Sequence, residues 1–305
     1  MSHGVRHEPV MADLVCELFK PLRKGTLVDA TFGGGGHSLR LRQVMGPKVR
    51  IMGIDRDPAV AERAADLGFD FMSGNFADLD RLLDGAGVDP VTGVLFDFGL
   101  SSDQLDQPDR GFSYRRNGPL DMRMDPRGAR LAAEIVNTWE EGRLAAAIRR
   151  FGEDPSARRI ARAIVAHRPL SDTLGLAGVI AESVPAALRR KGHPARRTFQ
   201  AIRIVVNEEL EAVSRGLEAA LGRLEARGRC VTISYHSLED RLVKQRFAEG
   251  LQACVCPPGL PVCGCGRRPE WSALVKGAKR PDSHEVARNR RARSARLRAV
   301  EKVAS

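Results

Sequence analysis

No stretch of this 305-residue sequence is apolar for long enough to span a membrane, and its opening MSHGVRHEPVMADL carries no apolar signal segment. Membrane-embedded and exported classes are thereby set aside, no membrane partner is expected, and a cytoplasmic protein is the default. The chain has no internal repeat, so an array of like units is not expected. Cysteine is scarce and unevenly placed: of six, Cys16 and Cys230 stand alone and four lie within residues 254–265. In a reducing compartment that is not a disulfide framework. Acidic residues are the minority, 38 Asp+Glu against 49 Lys+Arg, for a formal charge of +11. An excess of positive charge favours a polyanionic partner, because neutralised phosphates release their condensed counterions.

What is present is an ordinary globular composition, 43% hydrophobic and 29% charged, enough for one large or two moderate domains. GTLVDAT (25–31), KVRIMGIDRDP (48–58), FDFMSGNFADL (69–79) and VTGVLFDFGLSS (91–102) are short β-prone runs. Helical segments separate them, a cadence that means βαβ units and a parallel sheet. Such a sheet takes its ligand at the carboxyl ends of its strands. After residue 105 the pattern changes. LDQPDRGFSYRRNGPLDMRMDPRG reads as a long loop, 131–190 as short helices without strands, and 198–224 as one long amphipathic helix. GRCVTISYHS (228–237) returns to a strand. The expected organisation is an α/β domain, 1–105 with 198–305, interrupted by an α-helical insertion, 106–197.

VDATFGGGGHS (28–38) has Gly33 and Gly35 in place for a dinucleotide-binding glycine pattern, but Ser38 stands where the third glycine belongs. Asp29 ends the strand just before the glycines, which is poor company for a pyrophosphate. It suits a cationic ligand on Coulomb grounds. Asp55 ends the next strand, where a carboxylate holds ribose hydroxyls, and Phe76 follows the third strand, placed to pack on an adenine. S-adenosylmethionine joins a sulfonium and an ammonium to an adenosine, so it fits these residues together, and the glycines are expected to clear room for its methionine end. A nicotinamide-dependent oxidoreductase fits less well, lacking the third glycine and leaving the arginines unexplained. A non-enzymatic RNA-binding factor would not need Asp29, Asp55 and Asp97.

CVCPPGLPVCGC places Cys254, Cys256, Cys263 and Cys265 as C-x-C-x6-C-x-C, four thiols that could satisfy a structural zinc ion. Free thiols are the competing reading. Arginines 288, 290, 291, 293, 296 and 298 crowd RNRRARSARLR, and LRRKGHPARR (188–197) is a second basic stretch. Both are expected to meet nucleic acid.

Together with GIDRDP, FDFGLSSDQLD, GFSYRRNGPLDMRMD, TFQAIRIVVNEEL, SYHSLEDR and NRRARSARLR, the glycine segment resembles the RsmH/MraW family of bacterial 16S ribosomal RNA (cytosine-N4)-methyltransferases. The resemblance runs from His7 to about Arg298. It implies a Rossmann-like sheet, and methyl transfer from S-adenosylmethionine to the exocyclic amine of a decoding-site cytidine in the small ribosomal subunit. It also implies cofactor contacts at Gly35, Gly36, His37, Asp55, Phe76, Asp97 and Gln104. A homodimer stays open. The sequence departs from the family at Asp103 and Arg290, where proline is usual.

Cytosine N4 is a poor nucleophile, its lone pair being delocalised into the ring. Its transfer chemistry is mainly a matter of placement, with acceptors on the amine hydrogens. Asp97 is the first candidate, although the Pro-Pro-aromatic that follows such an acceptor in related enzymes is absent. Ser101, Ser102 and His236 are further candidates for orienting the base. Phe112 and Tyr114 are placed to stack a base drawn out of its helix, and Arg115, Arg116, Arg123, Arg291 and Arg293 to hold RNA.

Overall fold

A computed structural model of the chain describes residues 8–185, 192–254, 256 and 264–304. It divides into two compact units, 1–99 with 210–305 and 100–209.

The first unit opens with α1 (Ala12–Phe19), then alternates β1 (Gly25–Asp29), α2 (Gly36–Val44), β2 (Val49–Asp55), α3 (Ala59–Asp66), β3 (Asp70–Ser73), α4 (Leu79–Gly85) and β4 (Val91–Asp97). The second unit carries α5 (Ser102–Asp106), α6 (Ala132–Thr138), α7 (Glu141–Gly152), α8 (Ala157–Ala166), α9 (Thr173–Ser183) and α10 (Ala195–Asn207). The first resumes with α11 (Glu209–Arg223), β5 (Leu224–Ser234), α12 (Ser237–Leu251), β6 (Trp271–Ala273), α13 (Ser283–Arg288) and β7 (Arg296–Lys302).

Among the described residues seven strands form one sheet in the order β3-β2-β1-β4-β5-β7-β6, with β7 antiparallel to both of its neighbours. This is the expected α/β class. Alternation within each strand sorts the side chains onto two faces. Val28, Met52, Val94 and Phe96 pack with Leu79, Leu83, Leu217 and Phe247 on one. Leu27, Ile51, Leu95 and Val231 pack with Phe19, Leu41 and Ala64 on the other. Both faces are covered, which is why the strands read as nearly unbroken apolar runs. The chain runs outward from β1 to β3 and then returns to place β4 beside β1. The order therefore reverses between β1 and β4, and the crevice at their carboxyl ends is where an open α/β sheet binds its ligand.

The expected single helix over 198–224 is two helices. Glu208, at φ +52°, turns the chain between α10 and α11, and Asn207 beside it has another task. Its side-chain amide donates to the Met122 and Arg203 carbonyls, at 2.7 and 2.9 Å, and its oxygen accepts from the Met124 N–H at 2.7 Å. This buried amide latches the long segment after α5, whose Phe112, Leu120, Met122 and Met124 are core residues of the second unit. Backbones cross there so closely that a Cβ on Gly111 would lie 2.1 Å from the Pro119 carbonyl oxygen, and one on Gly118 2.0 Å from that of Pro108. The segment is irregular but packed.

Part of the C-terminal arginine run is internal. Asp240, buried at the start of α12, accepts from Arg298 Nε at 2.7 Å and Arg296 Nη1 at 2.9 Å. The expectation that all six arginines meet nucleic acid is corrected for these two, whose charge is spent on a buried carboxylate. Residues 188–191 of the other basic stretch lie outside the described residues.

Asn207→Ala leaves buried groups of Met122 and Met124 without partners and should cost about 2–3 kcal/mol. Faster amide exchange at Met124 reads it out. Burial would raise the Asp240 pKa, but Arg298 and Arg296 outweigh it and hold the carboxyl below its ordinary range. The stability this gives is complete above the unfolded-state value of about 3.9 and is lost as pH falls through the lower folded-state value. The stability gap between wild type and Asp240→Asn in denaturant melts should therefore narrow below about pH 4.

Candidate active site

Asp29 ends β1 with 1% of its surface exposed. Its Oδ2 accepts from the Ser38 hydroxyl at 2.7 Å and its Oδ1 from the Thr31 N–H at 3.3 Å. The residue standing where a third glycine would be is thus a partner for the buried acid, tying the first turn of α2 to the end of β1. Burial pushes the Asp29 carboxyl above its ordinary range, against the pull of His37, Ser38 and Thr31. Asp55, at the end of β2, accepts from the Gly33 N–H through Oδ2 and from the Asp57 N–H through Oδ1, both at 2.9 Å. It is raised too, by burial.

Between these carboxylates the glycines have reasons inside the protein. Gly33 and Gly35 have φ of +48° and +74°, a region side chains rarely adopt. A Cβ on Gly35 would lie 2.9 Å from Phe32 and from Leu67, and one on Gly36 3.3 Å from Pro9. At Gly34 a Cβ would meet nothing within 4 Å. Gly34 is thus open on its Cβ side, Gly33 and Gly35 answer to turn geometry, Gly35 also to the Phe32 ring, and Gly36 to Pro9.

Asp97 ends β4, in register with Ile233 of β5. Its N–H donates to Thr31 Oγ1 at 2.6 Å, clasping β4 to the glycine loop. Its Oδ1 accepts from the Tyr235 hydroxyl at 2.8 Å, and its Oδ2 stands 3.4 Å from His37 Nε2. The carboxylate keeps 23% exposure while His37 has 7%. Neither ring nitrogen of His37 has a well-aligned hydrogen bond among the described residues, and Asp97 is the carboxylate its Nε2 faces. Burial opposes its charged form, but Asp97, Asp29 and Glu285 outweigh that and raise its pKa above the ordinary value. Burial, with Asp97 and Glu239, lifts the Tyr235 phenol well above 10, keeping it a neutral donor.

The sequence reading passed over Tyr235 and Thr31. The available signal was position: Tyr235 is the first residue beyond β5, at the same sheet edge as Asp97. His236 next to it caps α12, its Nδ1 accepting from the Glu239 N–H at 3.3 Å and its Nε2 lying 3.1 Å from Glu239 Oε1. Phe76 packs edge-on against Phe96 at 5.6 Å between ring centres and beside Phe98 at 5.8 Å, so part of its ring surface is core.

The second unit holds the remaining candidates. Ser101 and Gln104 form a reciprocal cap on α5, each backbone N–H donating to the other's side chain at 3.2 Å. The side chain of Ser102 lies outside what is described. Phe112 is 6% exposed in the core, which corrects its assignment as a base-stacking residue. Tyr114 lies 4.4 Å from the His193 ring and keeps partial exposure. Arg115 and Arg116 are exposed, and Arg116 donates to the Asp106 carbonyl at 2.8 Å. Arg123 is committed to its own loop: it grips Asp121 at 2.9 and 2.7 Å and donates to the Gly128 carbonyl at 2.9 Å. That corrects its reading as an RNA contact. In the first unit Arg291 and Arg293 are exposed. Cys254, Cys256 and Cys265 lie together, while Cys263 falls outside the described residues.

A family model described as the MraW methylase family matches residues 4–303. A ribosomal RNA small subunit methyltransferase H from Thermomicrobium roseum is 48% identical, covering 98% of this chain and 94% of its own. A protein of the same name from Anaeromyxobacter dehalogenans is 45% identical over 99% of this chain and 100% of its own. A solved rRNA methylase structure from Streptococcus thermophilus aligns at TM-score 0.40 and 13% identity, over 96% of this chain and 94% of that one. A likeness at that level carries nothing further.

In Asp97→Asn the burial of His37 is no longer offset by its nearest acid. Its NMR titration midpoint should fall relative to that of the wild type. An unchanged midpoint would mean that the two side chains do not interact.

Proposed function

The chain belongs to the MraW methylase family, and from that premise we propose that it transfers a methyl group from S-adenosylmethionine to N4 of one cytidine in small-subunit (16S) ribosomal RNA, at the decoding site. The observation that carries this reading is the Asp97 carboxylate, held by Tyr235 and Thr31 beside the buried His37, at the sheet edge where the strand order reverses. The site is short of positive charge: burial raises Asp29 with only His37 near it as a cation. A ligand bearing a sulfonium and an ammonium makes up that deficit.

Bound there, S-adenosylmethionine supplies an electrophilic methyl group. Gly34 offers the open approach to the loop, and Gly33, Gly35, Gly36 and His37 carry the backbone around it. Asp29 acts through its charge, being sealed beneath Ser38. Asp55, with Gly33 and Asp57 already on its oxygens, has remaining lone pairs for ribose hydroxyls. Phe76 offers the adenine what ring surface its neighbours leave free, and Gln104 is carried over from the family motif.

The chain's own part in the reaction is to place and polarise the nucleophile. Tyr235 fixes Asp97 through Oδ1, and Oδ2, which faces His37 at 3.4 Å, keeps lone pairs to accept a hydrogen from the cytosine amine. That acceptor draws the nitrogen towards tetrahedral geometry and stabilises the charge it develops. Ser101, Ser102 and His236 remain candidates for orienting the base, with Ser101 and His236 already serving as helix caps. Tyr114 presents the aromatic surface for a base taken out of its stack. Arg115, Arg116, Arg291 and Arg293 meet phosphate. The enzyme acts in the cytoplasm on the small subunit or its RNA, as a monomer or homodimer. Among the described residues no helix is long and apolar enough to cross a membrane.

Radiolabelled methyl transfer to 16S RNA and to 30S particles, followed by nucleoside analysis, should yield N4-methylcytidine. Asp97→Ala should abolish it, and near-normal turnover in that variant would remove Asp97 from the mechanism. In Arg115→Ala/Arg116→Ala the slope of log affinity for RNA against log salt should become shallower by about 1–2.

A further inference from the structure

The segment joining α12 to β6 is anchored at its ends. Glu270 N–H donates to the Gly250 carbonyl at 2.8 Å, Arg267 donates to the Glu249 carbonyl at 2.6 Å, and the Trp271 ring lies so close to Gly250 that a Cβ there would sit 1.8 Å from it. From Gln252 to Glu270 no described residue is buried, and none belongs to a helix or strand.

Three thiols are gathered there. The Sγ atoms of Cys254, Cys256 and Cys265 all lie within 4.8 Å of one another, and those of Cys254 and Cys265 are 3.7 Å apart. That separation is far beyond a disulfide bond of about 2.05 Å. It matches the edge of a tetrahedron with zinc–sulfur distances of about 2.3 Å, which is about 3.8 Å. The Cys256 N–H points at Cys254 Sγ from 3.3 Å, the kind of donor that steadies a metal-bound thiolate. The sequence adds a fourth thiol, Cys263, two positions before Cys265 and outside the described residues.

We propose that Cys254, Cys256 and Cys265 hold one zinc ion as thiolates, a structural clip that closes the base of this segment. Each thiol gives up its proton to solvent as it binds, so occupancy rises with pH. No electrons move. The ion belongs to the architecture of the α12–β6 segment and not to methyl transfer, so the two proposals stand or fall separately.

The test uses the full chain, purified under reducing conditions without chelator and also reconstituted with zinc chloride. Elemental analysis should find about one zinc per chain, and about tenfold less or lower in Cys254→Ser/Cys265→Ser. Cobalt in place of zinc should give the sulfur-to-metal charge-transfer absorption and the visible bands of a tetrahedral thiolate site. Iodoacetamide should label the three cysteines only after a chelator is added. Zinc near zero in the reconstituted wild type, equal zinc in the double variant, or a Cys254–Cys265 disulfide persisting in reductant would each overturn the proposal. Circular dichroism and donor titration of the double variant separate loss of the ion from loss of the fold.

Discussion

Burying a carboxylate costs several kcal/mol unless hydrogen bonds replace the lost water, and the site is arranged around one such acid. Asp29 closes β1 in full burial, with the Ser38 hydroxyl and the Thr31 N–H as its partners. Those two bonds decide where α2 begins and how the glycine loop leaves the sheet. Thr31 then uses its own hydroxyl to accept the Asp97 N–H, so the ends of the two strands flanking the reversal point are joined through the residue that also satisfies the buried acid. Asp55 holds the same loop from the other side through Gly33. The acids in this crevice are structural and electrostatic at once.

That double duty explains the character of the site. Two acids raised by burial and one imidazole raised by its acidic neighbours line this crevice, and the proposed cationic donor is a ligand that would favour the acids' charged forms. Asp97 is held on one oxygen by a phenol that stays protonated, and its other oxygen faces His37 at 3.4 Å. A methyl donor carrying positive charge, and an amine developing it, both belong in such a field.

Much of this was legible along the chain. Strand cadence, the acid before the glycines, the acid twenty-six residues later and the acid ending β4 were all read correctly as to position, because a residue at the end of a β-run in a βαβ unit must lie at the sheet edge. The roles assigned to loop residues fared worse. Phe112 and Arg123 sit in a segment whose composition suggests a solvated loop, yet the segment is latched by Asn207, 85 residues from Met122, and its apolar side chains fill a core. The glycines were read as space for a ligand, while the ring of Phe32 accounts for much of the crowding at Gly35 and Gly53.

By itself the sequence determined the class of sheet and which acids stand at its carboxyl edge, because hydrophobic alternation and strand-end acids are local properties. Only the tertiary structure decided which side chains meet. Tyr235 reaches Asp97 across 138 residues, and Arg298 spends its charge on Asp240 rather than on a nucleic acid. Such pairings follow from strand register and helix placement, and those are settled when distant segments pack, not by any pattern a single segment carries.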